Sequence, residues 1–129
     1  MDKYAKKIYA KDELLSALRD FGQEFAIPII YLFGSYARGE ANTDSDIDIV
    51  IDARNIHGLL QFEQAHLALS DRLEKPVDMI SMQAIETERQ LPYRQDFMNS
   101  YLKERIEIKG STAQLLRQAL SNHPSGRKP

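Results

Sequence analysis

The chain of 129 residues has no cysteine and no tryptophan, and neither sign of charge prevails in it. Without thiols there is no disulfide, no thiolate metal site and no thiol nucleophile. The histidines His57, His66 and His123 stand at no metal-ligand spacing. Seventeen Lys and Arg against nineteen Asp and Glu give a formal charge of −2. The clustered positive charge that neutralises phosphates is lacking, so nucleic acid is disfavoured as a partner. The longest apolar run, Phe25 to Phe33, is interrupted by Pro28 and falls far short of the ~20 residues a membrane span needs. Met1 to Lys11 mixes lysines with Tyr4, Ile8 and Tyr9 and offers no apolar signal core. No membrane is expected as a partner, and a reducing cytoplasm is the expected location.

What is present suits one ordinary folded domain. Hydrophobic residues make up 43% of the chain and charged residues 28%, and a chain of this length buries roughly two thirds of its unfolded surface. Asp12 to Phe25 carries Leu14, Leu15, Leu18, Phe21 and Phe25 at helical spacing, with Asp12 as the N-cap. Ile29 to Phe33 reads as a strand buried on both faces, broken by Gly34-Ser35. Asp46 to Asp52 alternates acidic and branched residues, which predicts a strand with Ile47, Ile49 and Ile51 on one face and Asp46 and Asp48 on the other. Ile56 to Leu73, with Leu59, Leu60, Phe62, Leu67, Leu69 and Leu73, predicts a helix, and Pro76 to Ile80 a short strand whose one charge is Asp78. Helices are expected over 84–91, 94–104 and 112–120, an edge strand over 105–109 and a polar tail from Ser121. This order gives an α/β (α+β) fold, a small mixed sheet flanked by helices.

The chemistry concentrates between Leu32 and Asp48. A glycine at the end of a strand lets backbone approach a phosphate, and Ser35 at the start of a short helix offers a hydroxyl and amide N–H groups to an anion. Two carboxylates at i and i+2 on one strand face repel each other when both are ionised, so their natural partner is a divalent cation with hard oxygen ligands, Mg²⁺ above all. Taken singly, each feature has an ordinary explanation. Gly34-Ser35 is also a common turn, Asp46-Ile47-Asp48 also fits the solvated face of an edge strand, and Asp78 also fits a strand end. Asp44 and Asp52 are read as solvated residues. Tyr93, Phe97 and Tyr101 form a stripe at helical spacing, read as core or interface, and His57 and His66 as polar-face residues of a helix.

Together, Gly34-Ser35, the continuation Tyr36-Ala37-Arg38-Gly39, a ten-residue spacer and Asp46-Ile47-Asp48 resemble the signature of the polymerase-β-like nucleotidyltransferase superfamily, in the form seen in the minimal nucleotidyltransferase (MNT) family. The resemblance runs along roughly residues 12 to 110, with 1–110 read as the domain and 111–129 as a short helix and tail. It implies a polymerase-β-like fold. It implies that Asp46, Asp48 and Asp78 are catalytic and hold Mg²⁺, as two ions, with Asp78 helping to deprotonate the acceptor. It implies also that Gly34 and Ser35 hold the phosphates of ATP. Arg38 is placed to contact phosphate or a neighbouring carboxylate.

About 80 residues of core leave no second domain for acceptor recognition, so a partner is expected to supply it. MNT proteins are typically paired with a helical HEPN-domain ribonuclease toxin. The resemblance therefore implies an antitoxin that transfers AMP from ATP to a hydroxyl, commonly of tyrosine, of that toxin. Two other readings stand beside this one: adenylylation of a small molecule, and an antitoxin that inhibits by binding alone, through apolar helix faces or Leu115, Leu116 and Leu120.

Overall fold

The computed structural model describes residues 7 to 109. The helix expected over 112–120, the tail from Ser121, and His123 lie outside the described residues. The elements run α1 (Lys11–Glu24), β1 (Ile29–Phe33), α2 (Gly34–Arg38), β2 (Ile47–Ile51), α3 (Gly58–Leu73), β3 (Val77–Ser81), α4 (Met82–Arg89), a 3₁₀ turn (Pro92–Arg94), α5 (Gln95–Glu104) and β4 (Ile106–Lys109). The four strands form one sheet in the order β3-β2-β1-β4. β1 pairs antiparallel with β2 and with β4, while β2 and β3 pair in parallel. Parallel pairing requires a crossover, and α3 supplies it. The sheet is mixed and flanked by helices, as the sequence predicts.

Strand alternation divides the interior into two cores. On one face Ile30, Leu32, Ile47, Ile49 and Ile51 pack with Leu14, Leu18 and Phe21 of α1 and with Ala65, Leu69 and Leu73 of α3. On the other, Tyr31, Phe33 and Val50 pack with Ile85 of α4 and with Met98 and Tyr101 of α5. Asp48 alternates with Ile47 and Ile49 and so shares the second face with Val50. The isoleucines of β2 anchor the strand from behind and leave Asp48 on the face they do not occupy.

Local chemistry shifts several boundaries. The residue preceding α1 is Ala10, without a side-chain cap, so Asp12 is not the N-cap but a first-turn acid. Its Oδ1 accepts from the Glu13 N–H at 3.0 Å, and an acid there favours the helix dipole. α1 ends where Ala26 takes φ 57° and the Ile27 N–H reaches back to the Gly22 carbonyl at 2.8 Å. α3 starts at Gly58 rather than Ile56, so His57 precedes the helix, its N–H donating to Gln61 Oε1 at 2.8 Å. Leu59, Leu60 and Leu67, which suggested a buried stripe, are 83%, 73% and 47% exposed. α3 buries Ala65, Leu69, Ser70 and Leu73 instead, because a helix against a sheet edge needs only one narrow apolar stripe. The stripe Tyr93, Phe97, Tyr101 is likewise interrupted. Tyr93 lies in the 3₁₀ turn and is exposed, while Phe97 and Tyr101 stack on α5 against Phe33. Among the described residues no helix is long and apolar enough to cross a membrane.

The contrast along α3 makes a prediction. Leu69→Ala, at a site with no exposure, is expected to cost about 2–5 kcal/mol. Leu60→Ser on the same helix is expected to change stability by less than about 0.5 kcal/mol. Urea unfolding of the two variants measures both.

Candidate active site

β1 hands the chain to α2 through Gly34, whose φ is +74°. A Cβ at this position would stand 2.4 Å from Asp48 Oδ2 and 3.2 Å from Asp48 Cγ. The glycine therefore does more than free the backbone for a phosphate. Its missing side chain makes room for the carboxylate of Asp48 on the neighbouring strand, since Phe33 and Asp48 are register partners. Sequence spacing alone did not reveal this contact, which depends on the antiparallel pairing of β1 with β2.

The second pairing brings in the third acid. Asp48 and Asp78 are register partners across β2 and β3, so their side chains leave the sheet on the same face of strands about 4.8 Å apart. Asp46 stands one residue ahead of β2 rather than within it. Its charge nonetheless acts on Asp48, together with that of Asp78. Burial, then Asp78, then Asp46 push the Asp48 carboxyl up to about 6, against the opposing pull of Arg38. Asp48 belongs to a central strand and is half-covered, and burial is the largest of the effects that raise it, whereas Asp78 lies exposed on the edge strand. The structure thus brings Gly34, Asp46, Asp48 and Asp78 to one corner of the sheet, with the half-buried Ser35 in the first turn of α2.

Arg38 closes α2 and pairs with Glu40 at 3.0 Å and with Glu104 of α5 at 3.2 Å. The neighbouring-carboxylate alternative is the contact seen. Asp52, read as a solvated strand-face acid, is buried and held by the Arg54 guanidinium at 2.6 Å. It sits at the far end of β2. His66 is not a free polar-face residue: its Nε2 stands 2.6 Å from the Val77 carbonyl and its Nδ1 3.0 Å from Glu63. Both partners are acceptors, which favours the imidazolium and raises the His66 pKa despite partial burial. The sequence reading also missed Lys75, 2% exposed, whose Nζ donates to the Thr43 carbonyl at 3.1 Å. Between Glu74 and Pro76 in a charged turn it looks like any surface lysine.

Among the described residues no three His, Asp or Glu side chains form a ready-made metal cage.

A carboxylate cluster beside a strand-to-helix glycine turn, on a mixed sheet covered by helices, defines a domain built for phosphate-group transfer. The chain belongs to the polymerase beta nucleotidyltransferase family, whose profile matches residues 17–95, and it is a nucleotidyltransferase. A candidate protein adenylyltransferase of Methanocaldococcus jannaschii is 34% identical over 97 residues, covering 75% of this chain and 87% of the relative. The protein adenylyltransferase MntA of Thermococcus cleftensis is 35% identical over 69 residues, covering 54% of this chain and 70% of the relative. In fold, the chain resembles one from a crystal structure of a toxin–antitoxin with AMP-PNP. The TM-score is 0.55 at 18% identity, over 86% of this chain and 85% of that one.

Two predictions follow from the geometry around Asp48. In the metal-free protein its folded pKa of about 6 lies above the unfolded value near 4. Between these values the native state holds more protons, so stability falls as pH rises from about 4 to about 6 and is level above. Asp48→Asn removes this loss and is expected to be more stable than wild type at pH 7, by on the order of 1 kcal/mol given the partial exposure. Denaturant titrations in EDTA across this pH range check the sign. Gly34→Ala is expected to lose about 1–2 kcal/mol from the left-handed backbone alone, with a further loss from the clash with Asp48. The Asp48→Asn melts serve as its reference.

Proposed function

We propose that this nucleotidyltransferase moves AMP from ATP to a hydroxyl, that of a tyrosine, on a cognate HEPN-domain ribonuclease toxin and so acts as its antitoxin. The observation that carries the transfer chemistry is the register pairing of Asp48 with Asp78, with Asp46 just upstream and Gly34 making room for the cluster. The MNT resemblance of the Gly34–Asp48 segment and the naming of the two relatives as protein adenylyltransferases support a protein acceptor. The toxin partner is inferred from the same family resemblance, and a reaction that consumes ATP suits the cytoplasm.

The residues divide the work as follows. Asp46 and Asp48 hold Mg²⁺, joined by Asp78, as a two-ion site. Three acids crowded together gain from a cation that relieves their repulsion. When bound, the metal neutralises triphosphate charge and polarises the α-phosphate. Gly34 and Ser35 present backbone N–H groups and a hydroxyl to the terminal phosphates. Asp78, exposed on the edge strand, accepts the proton of the attacking hydroxyl. That oxygen bonds to the α-phosphorus, the bond to the bridging α–β oxygen breaks, and pyrophosphate leaves. Arg38, fixed between Glu40 and Glu104, adds a positive field at Asp48.

The test is incubation with α-labelled ATP, Mg²⁺ and the cognate HEPN-domain protein. Label is expected on the toxin with wild type and none with Asp46→Asn/Asp48→Asn. Asp78→Asn is expected to slow labelling by about 10²–10⁴-fold. Absence of label with wild type, together with neutralisation that survives the double variant, would leave inhibition by binding as the function. Label found instead on a small molecule would transfer the acceptor role to it.

A further inference from the structure

We infer that Lys75 is a positioning residue for the metal site, holding the segment that delivers Asp46. The inference rests on the reading of Asp46, Asp48 and Asp78 as metal ligands. Lys75, at 2% exposure, is among the largest fully buried side chains of the described residues, and the others among these are apolar. An ammonium is costly to bury, and its place inside the fold calls for a contact that a leucine or methionine does not make. The contact is with main chain: Nζ donates to the Thr43 carbonyl at 3.1 Å.

Thr43 lies inside a tight turn closed by local bonds. The Asn42 side chain accepts from the Asp44 N–H at 2.8 Å, and the Asn42 N–H donates to Ser45 Oγ at 2.8 Å. The Ser45 N–H closes the turn on the Asn42 carbonyl at 3.1 Å. These bonds fix the shape of the turn but not its place against the sheet. Two bonds to the α3–β3 connection do that. Lys75 takes Thr43, and the Pro76 carbonyl accepts from the Ile47 N–H at 3.1 Å. Asp46 lies between these two tethers. The first step of the β2–β3 ladder holds it on one side, and the buried lysine on the other. Asp78 is three residues beyond Lys75 on the same connection, so a single short stretch sets the positions of Asp46 and Asp78 relative to each other. With Asp46 outside the strand, ladder hydrogen bonds alone do not fix it, and Lys75 supplies the second constraint.

A structural role alone and a positioning role give different results on Lys75→Met. Methionine fills a similar apolar volume, and exchanging a buried charge for a well-packed apolar side chain is often neutral or stabilising. The thermal midpoint is therefore expected to stay within a few degrees of wild type or to rise. Metal affinity is expected to fall by about 10-fold, in the range found for residues that orient ligands without touching the metal. Mn²⁺ binding, followed by electron paramagnetic resonance with a non-hydrolysable ATP analogue present, reads this without turnover. Asn42→Ala opens the same turn from the solvent side without touching the core and is expected to weaken Mn²⁺ binding as well. It carries the test if Lys75→Met does not fold. Wild-type Mn²⁺ affinity in a folded Lys75→Met, or in Asn42→Ala should that variant carry the test, overturns the inference. Failure of the wild-type protein to bind Mn²⁺ overturns the metal-site reading beneath it instead.

Discussion

The mutual repulsion of three carboxylates gathered at one corner of a small sheet is the constraint around which the surrounding structure is arranged. Asp48 is half-covered, faces Asp78 across the β2–β3 pairing and feels Asp46 from the end of the preceding loop. Such a cluster is unfavourable unless the fold holds it by other means. The isoleucines on the opposite face of β2, Ile47, Ile49 and Ile51, have no exposure at all, and burying each contributes about 1.5–3 kcal/mol. That burial offsets what the acids cost and leaves their positions to be set by strand register.

The remaining contacts around the site keep the acids in place or temper their charge. Gly34 gives Asp48 the space that any side chain would occupy. Arg38, tied to Glu40 on its own connection and to Glu104 on α5, lowers the Asp48 carboxyl against the three effects that raise it. Its ion pairs are exposed and contribute little stability by themselves, so their effect lies in where they hold the guanidinium. The two cores thus do different jobs. One fixes the backbone of β2 from behind, and the other, beneath α4 and α5, walls the face on which the acids stand.

Much of this was legible in the sequence, and the reasons for the exceptions are physical. Ile29–Phe33 was readable as a strand because a continuous β-prone run stopped at Gly34, and the alternation from Asp46 to Asp52 named the correct face for each isoleucine. Asp46 and Asp48 were nominated from residue type and spacing and Asp78 from the family resemblance, and strand pairing brings Asp48 and Asp78 together. What sequence could not supply was register. The approach of Gly34 to Asp48, and the facing of Asp48 by Asp78, depend on which residues pair across β1, β2 and β3. Leu59, Leu60 and Leu67 misled because helical periodicity reports apolar residues without saying how wide a stripe the sheet will cover. Lys75 and Asp52 misled in the other direction, as charged residues that composition assigns to the surface and the fold buries.

Among the described residues β3 and β4 are the edge strands of the sheet, and each is guarded differently. On β3, His66 occupies the outward carbonyl of Val77. On β4, Glu107 and Lys109 pair at 3.2 Å on the outer strand, a pattern that discourages the addition of another strand. Both features work against the addition of a foreign strand to the sheet. For a domain this small, guarded edges keep the β-strands, and with them the register that sets the carboxylates, out of a foreign ladder.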